Sequence, residues 1–179
     1  MMKSKKHIFL SILVLLLMIF IISAHKLIFN IFSGRVHCPE EYAGSTLIME
    51  DSTKFTILRR VQVTGNNTDT NEYAVFIVRF KFKNLEFETN KRLSIIPAPF
   101  LINMKGFREK IWTFNEDTDF FQGIYQWESK ELAETYPESF VFNLMTKRAA
   151  PGTVSYRIIE NTELEKYIRE LLTNLDKGS

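Results

Sequence analysis

The side chains in this sequence best suited to chemistry are large aromatics interleaved with a few cations. Trp112, Tyr125 and Trp127 stand close together, and Tyr136 and Tyr156 follow. Arg92, Arg108 and Lys110 supply positive charge, while Asn90 and Asn103 carry amide donors. Indole and phenol rings offer stacking faces and hydroxyls, and a guanidinium or ammonium group can hold an anionic oxygen. Together they could form a pocket for a small apolar or aromatic ligand. Tyr125, Lys110 and Arg108 are the candidates for catalysis, and Trp112, Trp127, Tyr136, Tyr156, Arg92, Asn90 and Asn103 those for substrate binding. Each has a plainer reading. A strand aromatic usually packs the core, and Arg92 sits on a helix that needs a solvated side. Arg108 and Lys110 are harder to dismiss, because alternation puts them on one strand face with Trp112. If that face is internal, their charges need a buried partner, such as Glu109 or Glu128, or a ligand.

Other chemistries find little support. The sequence has no glycine-rich phosphate loop, no nucleophile with a histidine base and no paired-carboxylate signature. His7, His25 and His37 all precede the expected domain, so no metal site is expected. Cys38 is the single cysteine, which rules out an intrachain disulfide. A formal net charge of +2 gives no electrostatic footprint for nucleic acid. Asn66-Asn67-Thr68 fits a glycosylation sequon inside a turn.

The elements that must position these residues can be read from pattern. Gly106 to Glu128 reads as two apolar strands joined by the acidic turn Asn115-Glu116-Asp117-Thr118-Asp119. Ser129 then suits a helix N-cap. The following helix runs to about Arg148, kinked or divided at Pro137 and stopped by Pro151-Gly152. Thr46 to Met49 and Phe55 to Val63 are expected strands, and Gly65 to Asn71 a turn. Glu72 to Phe82 is a long strand with Ala74, Phe76, Val78, Phe80 and Phe82 on one face and Tyr73, Val75, Ile77, Arg79 and Lys81 on the other. Both faces are apolar in its first half, which calls for cover on both sides, from a second sheet or a second subunit. Glu86 to Ile96 reads as a helix ended by Pro97 and Pro99, with Phe87, Leu93 and Ile96 inward. Thr153 to Ile159 is a last strand, and residues 161–175 form an amphipathic terminal helix.

Residues 1–32 read as an N-terminal membrane anchor. Ile8 to Ala24 is uncharged and long enough for roughly 25 Å of helix at about 1.5 Å per residue. Leu27 to Phe32 extend the run past Lys26, whose ammonium can snorkel to the interface. A secretory signal competes, with Lys3, Lys5 and Lys6 as its basic region, although Ile22 spoils the cleavage site. The lysine balance places the domain on the extracytoplasmic side of a single-pass protein. Residues 33–45 form a tether and 46–179 the domain.

From Glu72 the order is strand, helix, strand, strand, helix, strand, the α+β ferredoxin-like split unit. Pro97-Ala98-Pro99-Phe100, the strands GFREKIW and GIYQW, and the helix over Ala133, Tyr136 and Phe140 resemble the dimeric α/β-barrel superfamily. They resemble in particular its YdhR-like monooxygenase branch and the antibiotic-biosynthesis-monooxygenase relatives. The likeness covers the core, about residues 72–160. It implies a homodimer with sheets packed face to face, and a pocket in each subunit between sheet and helices. Haem-degrading members use a histidine ligand, which implies that haem held by a domain histidine is excluded here. Cofactor-independent members oxidise electron-rich aromatics by holding the substrate anion for reaction with oxygen. No cofactor is therefore expected, with flavin left open. The functional expectation is a membrane-anchored, monooxygenase-like enzyme for a small apolar or aromatic substrate. The alternatives are a noncatalytic ligand-binding or interaction module and a purely structural dimer.

Overall fold

The computed structural model describes residues 2–64 and 72–173; the turn at Gly65 to Asn71, its sequon and residues 174–179 lie outside the described residues. Helix α1 (Met2–Phe32) leads into the short strands β1 (Val36–His37) and β2 (Thr46–Ile48) and the long β3 (Lys54–Val63). The core continues with β4 (Ala74–Lys81), α2 (Phe87–Leu93), α3 (Ala98–Leu101), β5 (Phe107–Asn115), β6 (Phe120–Trp127), α4 (Lys130–Thr135), α5 (Phe140–Arg148) and β7 (Ser155–Ile159). Helix α6 (Leu164–Thr173) ends the described chain. The strands lie in the order β1-β3-β5-β6-β4-β7, with β2 paired to β3. The mixed α+β, ferredoxin-like arrangement expected from sequence is thus present as an antiparallel sheet. The stretch read as a tether also contributes a strand, since Val36 pairs with Val63 and is buried.

Local chemistry explains most boundaries. The Asn115 carboxamide oxygen accepts a bond from the Thr118 N–H (2.9 Å), which closes the acidic turn between β5 and β6. Ser129 Oγ accepts from the Leu132 N–H (3.3 Å) and caps α4. Pro137 divides the long helical pattern: one 3₁₀ turn at Tyr136–Glu138 follows α4, and Ser139 caps α5 through the Phe142 N–H (3.1 Å). The expected helix over Glu86 to Ile96 is shorter than its pattern, because Ser94 onward turns toward Pro97. Its buried residue is Asn90, while Ile96 is exposed.

The sheet has two apolar faces with different covers. Phe76, Val78, Trp112, Tyr125 and Trp127 lie under α2 to α5 in one core. Val75, Ile77, Ile111 and Ile124 face the other way and pack against Leu47 and Met49, and against Leu164, Tyr167, Ile168 and Leu171 of α6. The two-sided pattern of β4 was thus correctly read as needing two covers, but the second cover comes from within the chain, where the sequence suggested another sheet or subunit. Polar contacts pin it there. The Leu164 N–H donates to Gln126 Oε1 (2.8 Å), and buried Arg60 pairs with Glu109 and with Glu165 of α6 (2.7 Å). Tyr42 donates to the same Glu165 (2.7 Å), whose carboxyl is held down at about 2 despite partial burial.

Helix α1 packs partly on the domain: Leu27 rests on the first core and the Phe20 ring lies 6.0 Å from that of Phe100 on α3. Its stretch Leu10–Phe32 is apolar and long enough to cross a bilayer, a property that a signal sequence shares. Because Ile168 is fully enclosed between α6 and the sheet, Ile168→Ala should lower unfolding stability by about 2 to 4 kcal/mol in urea titrations. An effect within the range of a surface substitution would mean that α6 is not the cover of this face.

Candidate active site

Strands β5 and β6 build the floor of a cavity between the sheet and the helices. A bulge at Ile57/Arg59 turns Leu58 toward the cavity wall and sets Arg59 opposite Trp112. Alternation along β5 then points Lys110 and Trp112 to the same side, and their neighbours on β6 are Tyr125 and Gly123. Gly123 leaves the gap that makes this packing possible. A Cβ there would lie 2.6 Å from a Tyr125 ring carbon and 2.8 Å from its hydroxyl, so the phenol lies across the bare backbone. The roof comes from Tyr136, Val141, Leu144, Met145 and Arg148, and Phe80, Phe82 and Phe121 close one side.

The cavity volume is about 40 Å³. A water needs on the order of 10 to 15 Å³ by this measure, so the space is of the order of a few waters. The half-buried Leu144 and Met145 of α5 line it, and the unbranched Met145 side chain is of a kind that repacks around a ligand.

The electrostatics are unusual. Lys110 is 6% exposed, and its Nζ lies 4.3 Å from the centroid of Trp112 and 4.6 Å from that of Tyr125. Among the described residues, no carboxylate lines the cavity. Burial, aided by the nearby Arg59 charge, lowers the Lys110 ammonium to about 7. The amine therefore exchanges a proton near neutrality, as a general base must. Trp112 is fixed by a bond from its indole N–H to the Ser94 carbonyl (2.9 Å). The Tyr136 and Tyr125 hydroxyls are hydrogen-bonded to each other (3.1 Å). Burial pushes both phenols up, so they act as neutral donors and not as phenolate bases.

The structure thus brings together Lys110, Trp112, Tyr125 and Tyr136, and places the other candidates elsewhere. Arg108 is set apart by a bulge at Phe107/Glu109; it pairs with Glu128 (2.8 Å) and lines a separate depression with His37, Gln62 and Tyr73. It does not share the cavity face with Lys110 as simple alternation suggested. Trp127 is wholly buried between Phe107 and Tyr136. Tyr156 is half exposed on β7, stacked on Phe76. Asn90 spends its amide on the Asn84 and Leu85 carbonyls and accepts from Arg148, Asn103 is exposed and bonds Pro99, and Arg92 is exposed on α2. Sequence reasoning missed Arg148 and Gly123. Arg148, half buried over the Phe82 ring (4.7 Å), is a second cation on the cavity wall. At the end of a helical pattern it reads as a dipole partner. The only signal for Gly123 was a glycine inside an otherwise aromatic strand.

The Lys110 titration has a stability consequence with a definite sign. Its folded value is depressed below the usual lysine range, so between about 7 and the unfolded value the unfolded chain binds more protons. Stability should therefore rise with pH across that window and carry the full cost of the buried charge below it. Lys110→Met should abolish this slope and raise stability at pH 6, measured by denaturant unfolding across pH. Gly123→Ala should displace the Tyr125 ring, seen as a changed tyrosine environment in near-ultraviolet circular dichroism, at a cost of about 1 to 3 kcal/mol.

Comparison with known proteins bears on the whole domain. No curated protein matches the chain. Among solved structures, an uncharacterized ferredoxin-fold protein related to antibiotic biosynthesis monooxygenases from Listeria monocytogenes is 13% identical, over 65% of this chain and 69% of that one, with a TM-score of 0.45. A monooxygenase-like protein from Listeria innocua is 11% identical, over 65% and 68%, with a TM-score of 0.46. A heme-degrading enzyme from Listeria monocytogenes is 11% identical, over 69% and 95%, with a TM-score of 0.46. The family model described as "Putative mono-oxygenase ydhR" matches residues 75–176, from the buried strand β4 through both cavity-forming hairpin strands to α6, and the chain belongs to that family.

Proposed function

We propose that the chain is a membrane-anchored, monooxygenase-like enzyme that oxidises a small apolar or aromatic molecule bearing an acidic proton. The observation that carries this reading is the buried amine of Lys110, poised near neutrality between two aromatic faces in a cavity without carboxylates. A hydrophobic wall with two cations suits a ligand that becomes a resonance-stabilised anion. Neutral Lys110 takes a proton from a CH₂ group flanked by aromatic rings. Arg148 and the Tyr125 hydroxyl stabilise the charge delocalised onto the ligand oxygen. The carbanion forms a C–O bond with dioxygen, and the peroxide anion takes the proton back from Lys110. Loss of the second C–H proton with cleavage of the O–O bond then yields a carbonyl and water. In sum, R₂CH₂ and O₂ give R₂C=O and H₂O, with the substrate as sole reductant.

This sequence of steps calls on no cofactor. The residues do not fit a haem held by histidine, since His37 lines a different depression and His7 and His25 stand on α1. Helix α1 serves as a single-pass anchor, with the domain on the extracytoplasmic side as the lysine balance favours. A second copy of the chain, the partner that the superfamily resemblance implies, would dock outside the face covered by α6. Native mass spectrometry of the full chain in detergent reads this directly, and a monomer would overturn it.

Anthrone is a suitable probe, being a planar aromatic ketone with an acidic CH₂. The full chain should consume oxygen in its presence, with a rate that rises through about pH 7 as Lys110 loses its proton. Lys110→Met should lower the rate by about 100-fold or more, in the usual range for loss of a general base. Saturable quenching of tryptophan fluorescence by anthrone without oxygen uptake would assign a noncatalytic binding module instead.

A further inference from the structure

Two stretches of the cavity wall continue into exposed apolar residues. Ser94 and Pro97 line the cavity, and between them Ile95 and Ile96 are 40% and 41% exposed. Val141 lines it too, and the preceding Phe140 is 54% exposed. These side chains share a neighbourhood with α1. The Phe100 ring lies 6.0 Å from Phe140 on one side and 6.0 Å from Phe20 on the other. The rim is thus continuous with the apolar surface of a helix long enough to cross a bilayer.

The position of Lys26 sets the depth. If all of Leu10–Phe32 were submerged, Lys26 would lie in the acyl layer, which is costly for an ammonium group. With Lys26 at the interface, the uncharged run Ile8 to Ala24 spans the core. Phe20 then lies six residues below, roughly 9 Å at about 1.5 Å per residue. Phe100 touches Phe20, so α3 and its neighbours sit at the level of the upper acyl chains, within the roughly 5 to 10 Å to which interfacial apolar surfaces are buried.

We propose that Ile95, Ile96, Phe100 and Phe140 form a lipid-immersed rim beside α1, through which the cavity exchanges lipophilic ligands with the bilayer. The assignment of ligand class rests on the cavity being the substrate site proposed above. The occupant of the rim is the acyl layer.

The test uses the full chain in vesicles of phosphatidylcholine and phosphatidylglycerol, with Cys38→Ser as background. Ile96→Cys and Phe140→Cys carry a nitrobenzoxadiazole label, with Ile95→Cys as a spare should either fail to fold and Asp117→Cys at the exposed hairpin tip as control. Labels at 96 and 140 should emit to the blue and be quenched by lipids with a doxyl group high on the acyl chain, about threefold or more above quenching by aqueous iodide, as expected for shallow burial. The label at 117 should show the reverse. Equal iodide quenching at all three positions would overturn the proposal. The readout involves no turnover, so a chain that passes it yet consumes no oxygen would refute the oxygenase reading and leave the immersed rim standing.

Discussion

Strands β4 and β6 are buried on both faces, and the rest of the architecture follows from that constraint. Their side chains alternate between two cores, Phe76, Val78, Tyr125 and Trp127 on one side and Val75, Ile77 and Ile124 on the other. At roughly 25 cal/mol per Å² of apolar area, neither face can be left to water in a domain of this size. Helices α2 to α5 cover the first. For the second, the chain supplies α6 together with the β2 edge. The ion network of Arg60, Glu109 and Glu165 then fixes where α6 can lie, because each of these charges would be costly if its partner moved away.

The division of labour between the faces explains why the candidate site is where it is. The α6 face is filled by aliphatic side chains and closed by paired charges. The helix face is filled by rings, and the bare backbone of Gly123 lets the Tyr125 phenol lie across it. Lys110 lies against the Trp112 and Tyr125 ring faces, with no carboxylate on the wall among the described residues. A buried cation held this way weakens the fold unless it loses its proton, and shifted groups of this kind concentrate at functional sites. Arg60 is as deeply buried but fully paired, which marks it as structural. The contrast between these two cations, one on each face, separates the holding of the fold from the chemistry.

The cavity wall and α1 are linked through α3, a helix of one turn that carries Phe100 between Phe20 and Phe140. A short apolar helix thus lies between the N-terminal helix and the roof of the pocket. On the roof itself, Val141, Leu144 and Met145 of α5 close the cavity.

The sequence by itself determined the strand and helix order, the hairpin with its acidic turn, the caps at Ser129 and the break at Pro137, because each rests on local backbone chemistry or short-range periodicity. It also named Lys110, Trp112, Tyr125 and Tyr136 as candidates, which the structure brings together around one cavity, and identified β4 as a strand needing two covers. What covers the second face was decided only by the tertiary structure, since periodicity reports that a face is apolar and not what it meets. The bulges at Ile57/Arg59 and Phe107/Glu109 were equally invisible. Each inserts one residue, which is why Arg108 parted from Lys110 although strict alternation joined them. Trp127 and Tyr156 show the same limit: both are strand aromatics, and only packing made one wholly buried and left the other half exposed on an outer strand. The depressed titration of Lys110 likewise comes from its burial in the assembled cavity and from the nearby Arg59 charge, neither of which residue spacing can encode.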